Sequence, residues 1–274
     1  MPKGIPNLGN TCFLNAIIQC LRVCDPWMSW IEQHYSTLHN SCRNIIDVMF
    51  DPMKREYLEA LVTQIRKDMG QGQIDPTHAF ECILSNCMKA IQSEDNTYQD
   101  SIEKLFFSSV RCKTVCAHCH TSSNKIEKTS FLLLKGNFWD NCQQCFQHAY
   151  DPKENIVVLD DSNKYDCMRC SKERLGKQQA FQTQTIINLS EIVVFVVQNK
   201  VHGMNPTMDV VFDNNTLTCV AGIIHSGYDG MGHCTAVVRT SIGWWLCSDL
   251  NIRELSDSEV KECSPYIFFM VKQA

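Results

Sequence analysis

Two side chains of this sequence are suited to covalent chemistry by type and position: a cysteine that opens a helix and a histidine carried between strands. Cys12 stands in the run Gly4-Ile5-Pro6-Asn7-Leu8-Gly9-Asn10-Thr11-Cys12-Phe13-Leu14-Asn15. Behind it Phe13, Ile17, Cys20 and Leu21 recur at helical spacing, which predicts a helix from Thr11 to about Val23, stopped by Asp25-Pro26. Asn10 and Thr11 are good capping types, so the sulfur falls in the first turn. There the positive end of the helix dipole favours thiolate. Unpaired N–H groups at the same place can hold an oxyanion, and Asn7 and Asn10 each offer an amide donor beside it. The competing reading is a small buried hydrophobe ahead of a core helix, which is the commoner fate of a cysteine.

A thiolate that does acyl chemistry needs a general base, and the base needs orientation. The segment His225-Ser226-Gly227-Tyr228-Asp229-Gly230-Met231-Gly232-His233 brings two histidines to the ends of neighbouring strands. A hairpin is expected next, from residues 234–239 through a turn near 240–243 to residues 244–249. Centred on Ser241 it pairs His233 with Asp249; centred half a residue earlier it pairs His233 with Ser248. Cross-strand Cβ atoms about 4.5–5.5 Å apart can orient an imidazole.

Two further groups of cysteines have ligand spacing. Cys116-Ala117-His118-Cys119 and Cys167-Met168-Arg169-Cys170 are CxxC turns with 47 residues between them. Four thiolates of this kind suit tetrahedral zinc. Cys142-Gln143-Gln144-Cys145 has the same form, but no strand–CxxC–helix unit surrounds it, and core packing is the expected role. Cys20, Cys24, Cys42, Cys82, Cys87, Cys112, Cys219, Cys234, Cys247 and Cys263 have no partner spacing and are expected to pack.

The elements that must position these groups divide by character. Residues 27 to about 110 are expected to be mostly helical, with periodic segments at 55–69, 78–91 and 98–107, broken at Gly70-Gln71-Gly72 and Asp75-Pro76. Strands are expected at 109–112, 129–134, 181–189 and 191–197, then at 221–225, 233–239, 244–247 and 266–271. The predicted class is therefore α+β, a helical lobe followed by a β lobe, with the helix behind Cys12 packed against the β lobe. The chain has 274 residues, 44% hydrophobic and 20% charged, enough apolar mass for a sizeable core. A net charge of −5 argues against nucleic acid as a partner. The longest apolar run, Ile192–Val197, is far below the roughly 20 residues that span a membrane. Seventeen cysteines, an odd number, with no apolar leader after Met1-Pro2-Lys3-Gly4, point to a reducing, cytoplasmic or nuclear compartment rather than a disulfide framework.

The Cys12 segment resembles the cysteine box of the ubiquitin-specific protease family, and 225–233 with the hairpin after it resembles the histidine box. The resemblance opens at residue 4 and closes on Tyr266-Ile267-Phe268-Phe269, so it covers nearly the whole chain. It implies a papain-like deubiquitinating cysteine protease occupying residues 1–274 as one catalytic domain. About 1–108 would form a helical thumb, about 109–200 zinc-bearing β fingers and about 201–274 a β palm. Cys12 would be the nucleophile, His233 the base and Asn7 the oxyanion-hole amide, while His225 would line the cleft. Aligning Trp244-Trp245-Leu246-Cys247-Ser248-Asp249 puts Ser248 at the usual orienting position and Asp249 at a second acidic one; Asp249 is preferred as the third member, because a carboxylate steadies an imidazolium better than a hydroxyl. Cys116, Cys119, Cys167 and Cys170 would hold a structural zinc. The partner would be ubiquitin or a ubiquitin-like modifier and its conjugates, and the enzyme a monomer. The sequence departs from the family at Cys234, where a tyrosine is usual. It departs again at Asp75-Pro76-Thr77-His78-Ala79-Phe80, a degraded glutamine–aspartate box, and at Leu189-Ser190. A protease for a ubiquitin-like modifier and a silent ubiquitin-binding module are the alternatives.

Overall fold

The helix behind Cys12 forms as α1 (Cys12–Leu21), and all ten of its residues are buried. Its polar residues are enclosed too, so they need partners. The Asn15 amide donates to the carbonyls of Ile5 and Pro6 (both 3.3 Å), and Gln19 donates to the Lys3 carbonyl (2.6 Å). The segment leading to Cys12 is thereby stitched to the helix it precedes. Thr11 is at the N-cap but makes no side-chain cap bond. Its hydroxyl is committed instead to Asn7 and Leu8. Asp25-Pro26 lies past the end of α1 and also begins α2 (Asp25–His34), with proline in the first turn, where its missing N–H is no loss.

The computed structural model describes residues 1–35, 40–70, 74–92, 96–135, 141–198, 204–228 and 231–273. The break expected at Gly70-Gln71-Gly72 lies mostly outside them, as do Asp229 and Gly230. Helices α3 (Asn40–Phe50), α4 (Arg55–Met69), α5 (Pro76–Gln92) and α6 (Asn96–Phe106) complete the helical lobe. An aromatic chain ties it to the sheet behind. Trp27 stacks on Trp30 and meets Phe106 edge-on, both at 5.4 Å; Phe80 touches Phe106 at 5.5 Å and Phe269 at 5.7 Å.

Two sheets follow. Strands β1 (Ser108–Cys116), β2 (Ser122–Thr129), β4 (Val157–Leu159) and β5 (Ala180–Asn188) form an antiparallel sheet in the order β2-β1-β5-β4. Strands β3 (Leu132–Leu134), β6 (Ile192–Val197), β8 (Asn215–Tyr228), β9 (Met231–Thr240), β10 (Gly243–Ser248), β11 (Asn251–Leu255) and β12 (Ile267–Lys272) form the larger one, ordered β11-β10-β9-β8-β12-β6-β3, with β7 (Asp209–Phe212) paired beside β8. The apolar runs of β6 and β12 are buried on both faces. Ile192, Val194, Ile267 and Phe269 face the helical lobe, while Val193, Phe195, Phe268 and Met270 face a second core under α7 (Cys142–Tyr150). Strand β2, Ser-Ser-Asn-Lys-Ile-Glu-Lys-Thr, lacks apolar alternation because it is an edge strand exposed along nearly its whole length. Two short helices, α8 (Met168–Lys172) and α9 (Asp257–Glu262), interrupt the β region; α9 is set by a capping box of Ser256 and Glu259.

The hairpin of β9 and β10 has neither expected register. Thr240 pairs with Gly243 and Ala236 with Cys247, so the two-residue loop is Ser241-Ile242 and the axis lies between them. Gly243, at φ 138°, absorbs the turn where a β-carbon is strained. The position opposite His233 is then Leu250, beyond the last paired rung. No helix among the described residues is long and apolar enough to cross a membrane.

Candidate active site

The loop before α1 is built around the Asn7 side chain. Its Oδ1 accepts from the main-chain N–H of Gly9 (2.9 Å) and of Thr11 (3.2 Å) and from the Thr11 hydroxyl (3.2 Å). Gly9 and Asn10 make this possible by adopting positive φ, 88° and 51°, conformations glycine and asparagine tolerate. With Oδ1 committed, Nδ2 points away from the loop and donates to Asp249 Oδ2 at 2.9 Å.

Asp249 sits in the turn between β10 and β11, itself at φ 52°. Its other oxygen accepts from Asn15 Nδ2 at 2.7 Å, and its carbonyl accepts from the Ile5 N–H at 2.9 Å. The carboxylate is therefore bracketed by two amides of the Cys12 segment. His233 Nε2 lies 2.9 Å from Ser248 Oγ and 4.0 Å from Asp249 Oδ2. The nearer group is the serine, reached diagonally across the hairpin rather than from a directly opposed position. His225, on β8, is exposed and meets Tyr266 edge-on at 6.4 Å.

Cys12 is 3% exposed, yet its thiol is lowered to about 5. The largest cause is a hydrogen bond donated by the Cys234 thiol; burial opposes it, and the Cys234 main-chain N–H and the His233 imidazole assist. The donor is affected in the opposite sense. The bond to Cys12, then burial and the charge of Cys12, push Cys234 well above the usual thiol range. Asp75, at the head of α5, lies near enough to add to the rise of Cys234 and of Tyr266, whose rise comes chiefly from burial. Cys12, His233, Asn7, Ser248 and Asp249 thus share one site between α1 and the hairpin, and Cys12 is held in a form that can attack an electrophile.

Two participants have no obvious sequence signal of their own. Asn15 is three residues after Cys12, one helical turn along the same side, and its only cue is polarity within an apolar run. Cys234 follows His233 on β9, and its cysteine type reads as packing until α1 is laid against that strand.

The other sulfur cluster lies at the far end of the four-stranded sheet. Cys116 ends β1, Cys119 follows in its turn, Cys167 caps α8 and Cys170 lies within it. Cys116 and Cys170 sulfurs are 3.8 Å apart, Cys119 and Cys167 sulfurs 3.5 Å, and all four lie within 4.8 Å of one another. A tetrahedron of sulfurs about 2.3 Å from a metal has edges of about 3.8 Å, so the cluster can coordinate a metal ion. Cys142 and Cys145 take no part; both are buried on α7 in the second core.

The ubiquitin carboxyl-terminal hydrolase family model matches residues 3–270. The chain belongs to that family. Curated relatives in it include human ubiquitin carboxyl-terminal hydrolase 17-like protein 10, 23% identical over 99% of this chain and 56% of its own length. Ubiquitin carboxyl-terminal hydrolase 23 of Arabidopsis thaliana is 24% identical over 98% of this chain and 35% of its own length. The chain thus spans roughly a third to a half of these relatives. Among solved structures, the SAGA DUB module of Ubp8, Sgf11, Sus1 and Sgf73 bound to monoubiquitin is similar at a TM-score of 0.80 and 17% identity, over all of this chain and 69% of that one. The same module bound to ubiquitin aldehyde gives 0.78 at 18% identity, over all of this chain and 70% of that one. The chain therefore has the papain-like α+β fold, with helical and β lobes and a four-cysteine cluster resembling a zinc-finger insert.

Proposed function

We propose that the chain hydrolyses the bond following the C-terminal Gly-Gly of ubiquitin, through a thioester formed on Cys12. The observation that carries this is the Cys12 thiol, lowered to about 5 at the head of a buried helix with an imidazole beside it. Family membership and the ubiquitin seen in the neighbouring SAGA complexes support the choice of substrate.

Cys12 sulfur attacks the scissile carbonyl carbon, and the departing amine takes its proton from His233. With Nε2 turned to Ser248, Nδ1 is the ring nitrogen left for the cleft. Water then attacks the thioester as His233 takes its proton, and the thiolate leaves. The negative charge on the carbonyl oxygen falls to the N–H groups of the α1 first turn and to Asn7. One Nδ2 hydrogen of Asn7 is occupied by Asp249, which leaves the second free to point into the cleft. In this reading Ser248, which the alignment sets at the usual orienting position, orients His233, and Asp249, the expected third member on grounds of charge, positions Asn7. Cys116, Cys119, Cys167 and Cys170 would hold a zinc ion, whose contribution would be structural, fastening the β1 turn to α8.

An electrophilic ubiquitin C-terminal probe is expected to label the wild-type chain and not Cys12→Ala. Labelling of both would remove Cys12 as the nucleophile. Parallel probes built on ubiquitin-like modifiers separate the alternative substrates, and labelling only by one of those would replace ubiquitin in the proposal.

A further inference from the structure

The run from Asn7 to Thr11 carries the oxyanion amide and delivers Cys12, and its apex needs support from outside. Gly9 and Asn10 hold positive φ, 88° and 51°, and both are exposed. Glycine is the residue most free to turn its carbonyl, so an apex of this kind moves easily unless it is held. Asn15 grips the Ile5 and Pro6 carbonyls, and Asp249 grips Ile5 and Asn7, so neither reaches the apex. Among the described residues, one hydrogen bond comes to Gly9 or Asn10 from outside the run: Arg66 Nη2 donates to the Gly9 carbonyl at 2.5 Å. Arg66 is well anchored. It follows Ile65 in the last turn of α4, whose Leu58, Leu61, Val62 and Ile65 are buried, and its own carbonyl accepts from the Gly70 N–H. A basic side chain in a last turn is ordinary, since it complements the helix dipole, and Lys67 does the same. The dipole does not explain the direction of Arg66, which is half-buried and turned to Gly9 while Lys67 is exposed.

We propose that Arg66 is a positioning residue for the oxyanion hole: by pinning the Gly9 carbonyl it sets the aim of the Asn7 amide. The links are continuous. One α-carbon separates the Gly9 carbonyl from the Gly9 N–H, and that N–H donates to Asn7 Oδ1 at 2.9 Å. With Oδ1 held there and by Thr11, Nδ2 keeps its direction toward Asp249. A Gly9 carbonyl that swings away carries its N–H with it and lets the Asn7 side chain turn. Arg66 acts by geometry and touches neither the substrate nor Cys12, whose lowering traces to Cys234 and His233. The inference rests on the reading of Asn7 as an oxyanion donor, and it makes the end of α4 part of the site. The oxyanion exists only during the reaction, so the loss of Arg66 falls on kcat rather than on KM.

The test compares Arg66→Ala, Arg66→Lys and, as a control for charge alone, Lys67→Ala; Arg66→Gln replaces the alanine variant if that one does not fold by circular dichroism. On a fluorogenic ubiquitin substrate, Arg66→Ala should lose about tenfold in kcat with KM within about twofold, while Lys67→Ala matches wild type. Arg66→Lys keeps a donor and should recover part of the loss. Ubiquitin aldehyde, whose adduct with a thiol places an oxygen where the oxyanion forms, should bind Arg66→Ala about tenfold more weakly, while ubiquitin itself binds both chains alike. An unchanged kcat, or equal weakening of ubiquitin and its aldehyde, overturns the proposal. Amide exchange followed by NMR reads the loop without turnover: the Gly9 and Thr11 N–H groups should exchange about tenfold faster in Arg66→Ala, with the amides of α1 unchanged. Unchanged exchange at Gly9 also overturns it. A wild type that turns over no ubiquitin substrate would remove the function proposed above, and the exchange rates would still decide whether Arg66 holds this loop.

Discussion

Substituting Asp249 separates two roles that a three-residue alignment merges. Asp249→Ala leaves the 2.9 Å contact between His233 and Ser248 in place, while it removes the acceptor of Asn7 (2.9 Å) and of Asn15 (2.7 Å). A hydrogen bond to a charged group is worth about 1.5–3 kcal/mol. Losing it frees the Asn7 amide from its aim without deleting it. Deleting an oxyanion donor outright costs about 100- to 1000-fold in kcat, so Asn7→Ala sets the ceiling, and Asp249→Ala should fall about 10- to 100-fold with KM little changed. The decisive measurement is kcat/KM on a fluorogenic ubiquitin substrate for the double variant. If Asp249 acts through Asn7, adding Asp249→Ala to Asn7→Ala costs no more than about twofold further, within the scatter of about 0.5 kcal/mol for such cycles. Ser248→Ala, acting through His233, should multiply in full with Asn7→Ala. A full second loss from Asp249→Ala in the Asn7→Ala background would refute the reasoning and return Asp249 to His233. Thermal melts guard the result, because Asn15 is buried and loses a partner in the same variant.

Three further outcomes follow from the same contacts. Alkylation of Cys12 by a small uncharged electrophile should be flat above about pH 6 and fall about tenfold per pH unit below 5, because the thiol is lowered to about 5; Cys234→Ala removes the leading hydrogen bond and should move the inflection up by about 1–2 units, and an unmoved inflection would show that Cys234 does not stabilise the thiolate. Native chain should carry about one zinc, lost in Cys119→Ser, with the main unfolding transition shifted by less than about 4 °C because neither large core includes the four sulfurs; metal-free native protein, or global unfolding on chelation, counts against this. Gly4→Ala would set a β-carbon 2.6–2.9 Å from the Leu250 backbone, where no side chain can yield, displacing the 4–7 segment from Asp249; kcat/KM should drop about tenfold with the circular dichroism unchanged, and full activity would show that this contact does not set the site.

How far the sequence carries depends on whether a feature is local. The run behind Cys12, the twofold-buried strands Ile192–Val197 and Ile267–Lys272, and the two CxxC turns are written in neighbouring residues, and each is where its pattern puts it. Strand β2 is invisible because an edge strand exposed on both faces has nothing to alternate against. The hairpin register depends on whether the loop holds two residues or three, and a half-residue error in its axis shifts the partner of His233 by one. The partners of Asp249 lie 242 and 234 residues away in sequence, so no spacing rule reaches them.

The same distances explain how a serine can stand beside the histidine. A hydroxyl fixes the ring but brings no charge, and an imidazolium formed during the reaction needs a negative partner. Asp249 Oδ2 is 4.0 Å from His233 Nε2, beyond a hydrogen bond but close enough for attraction. Two unit charges at that distance near a protein surface interact by about 4 kcal/mol before solvent screening, and the side chain of His233 is 41% exposed, which reduces the figure considerably. The direct bond to the Asn7 amide is therefore the main contribution of Asp249 and the screened field on the imidazole a minor one, while Ser248 supplies geometry. The division predicts its own limit: Asp249→Asn should keep part of the Asn7 alignment through its amide oxygen but lose the field. The Asn variant should then recover part of the rate lost in Asp249→Ala, and an Asn variant no faster than the Ala variant would mean that charge, not alignment, is what Asp249 contributes.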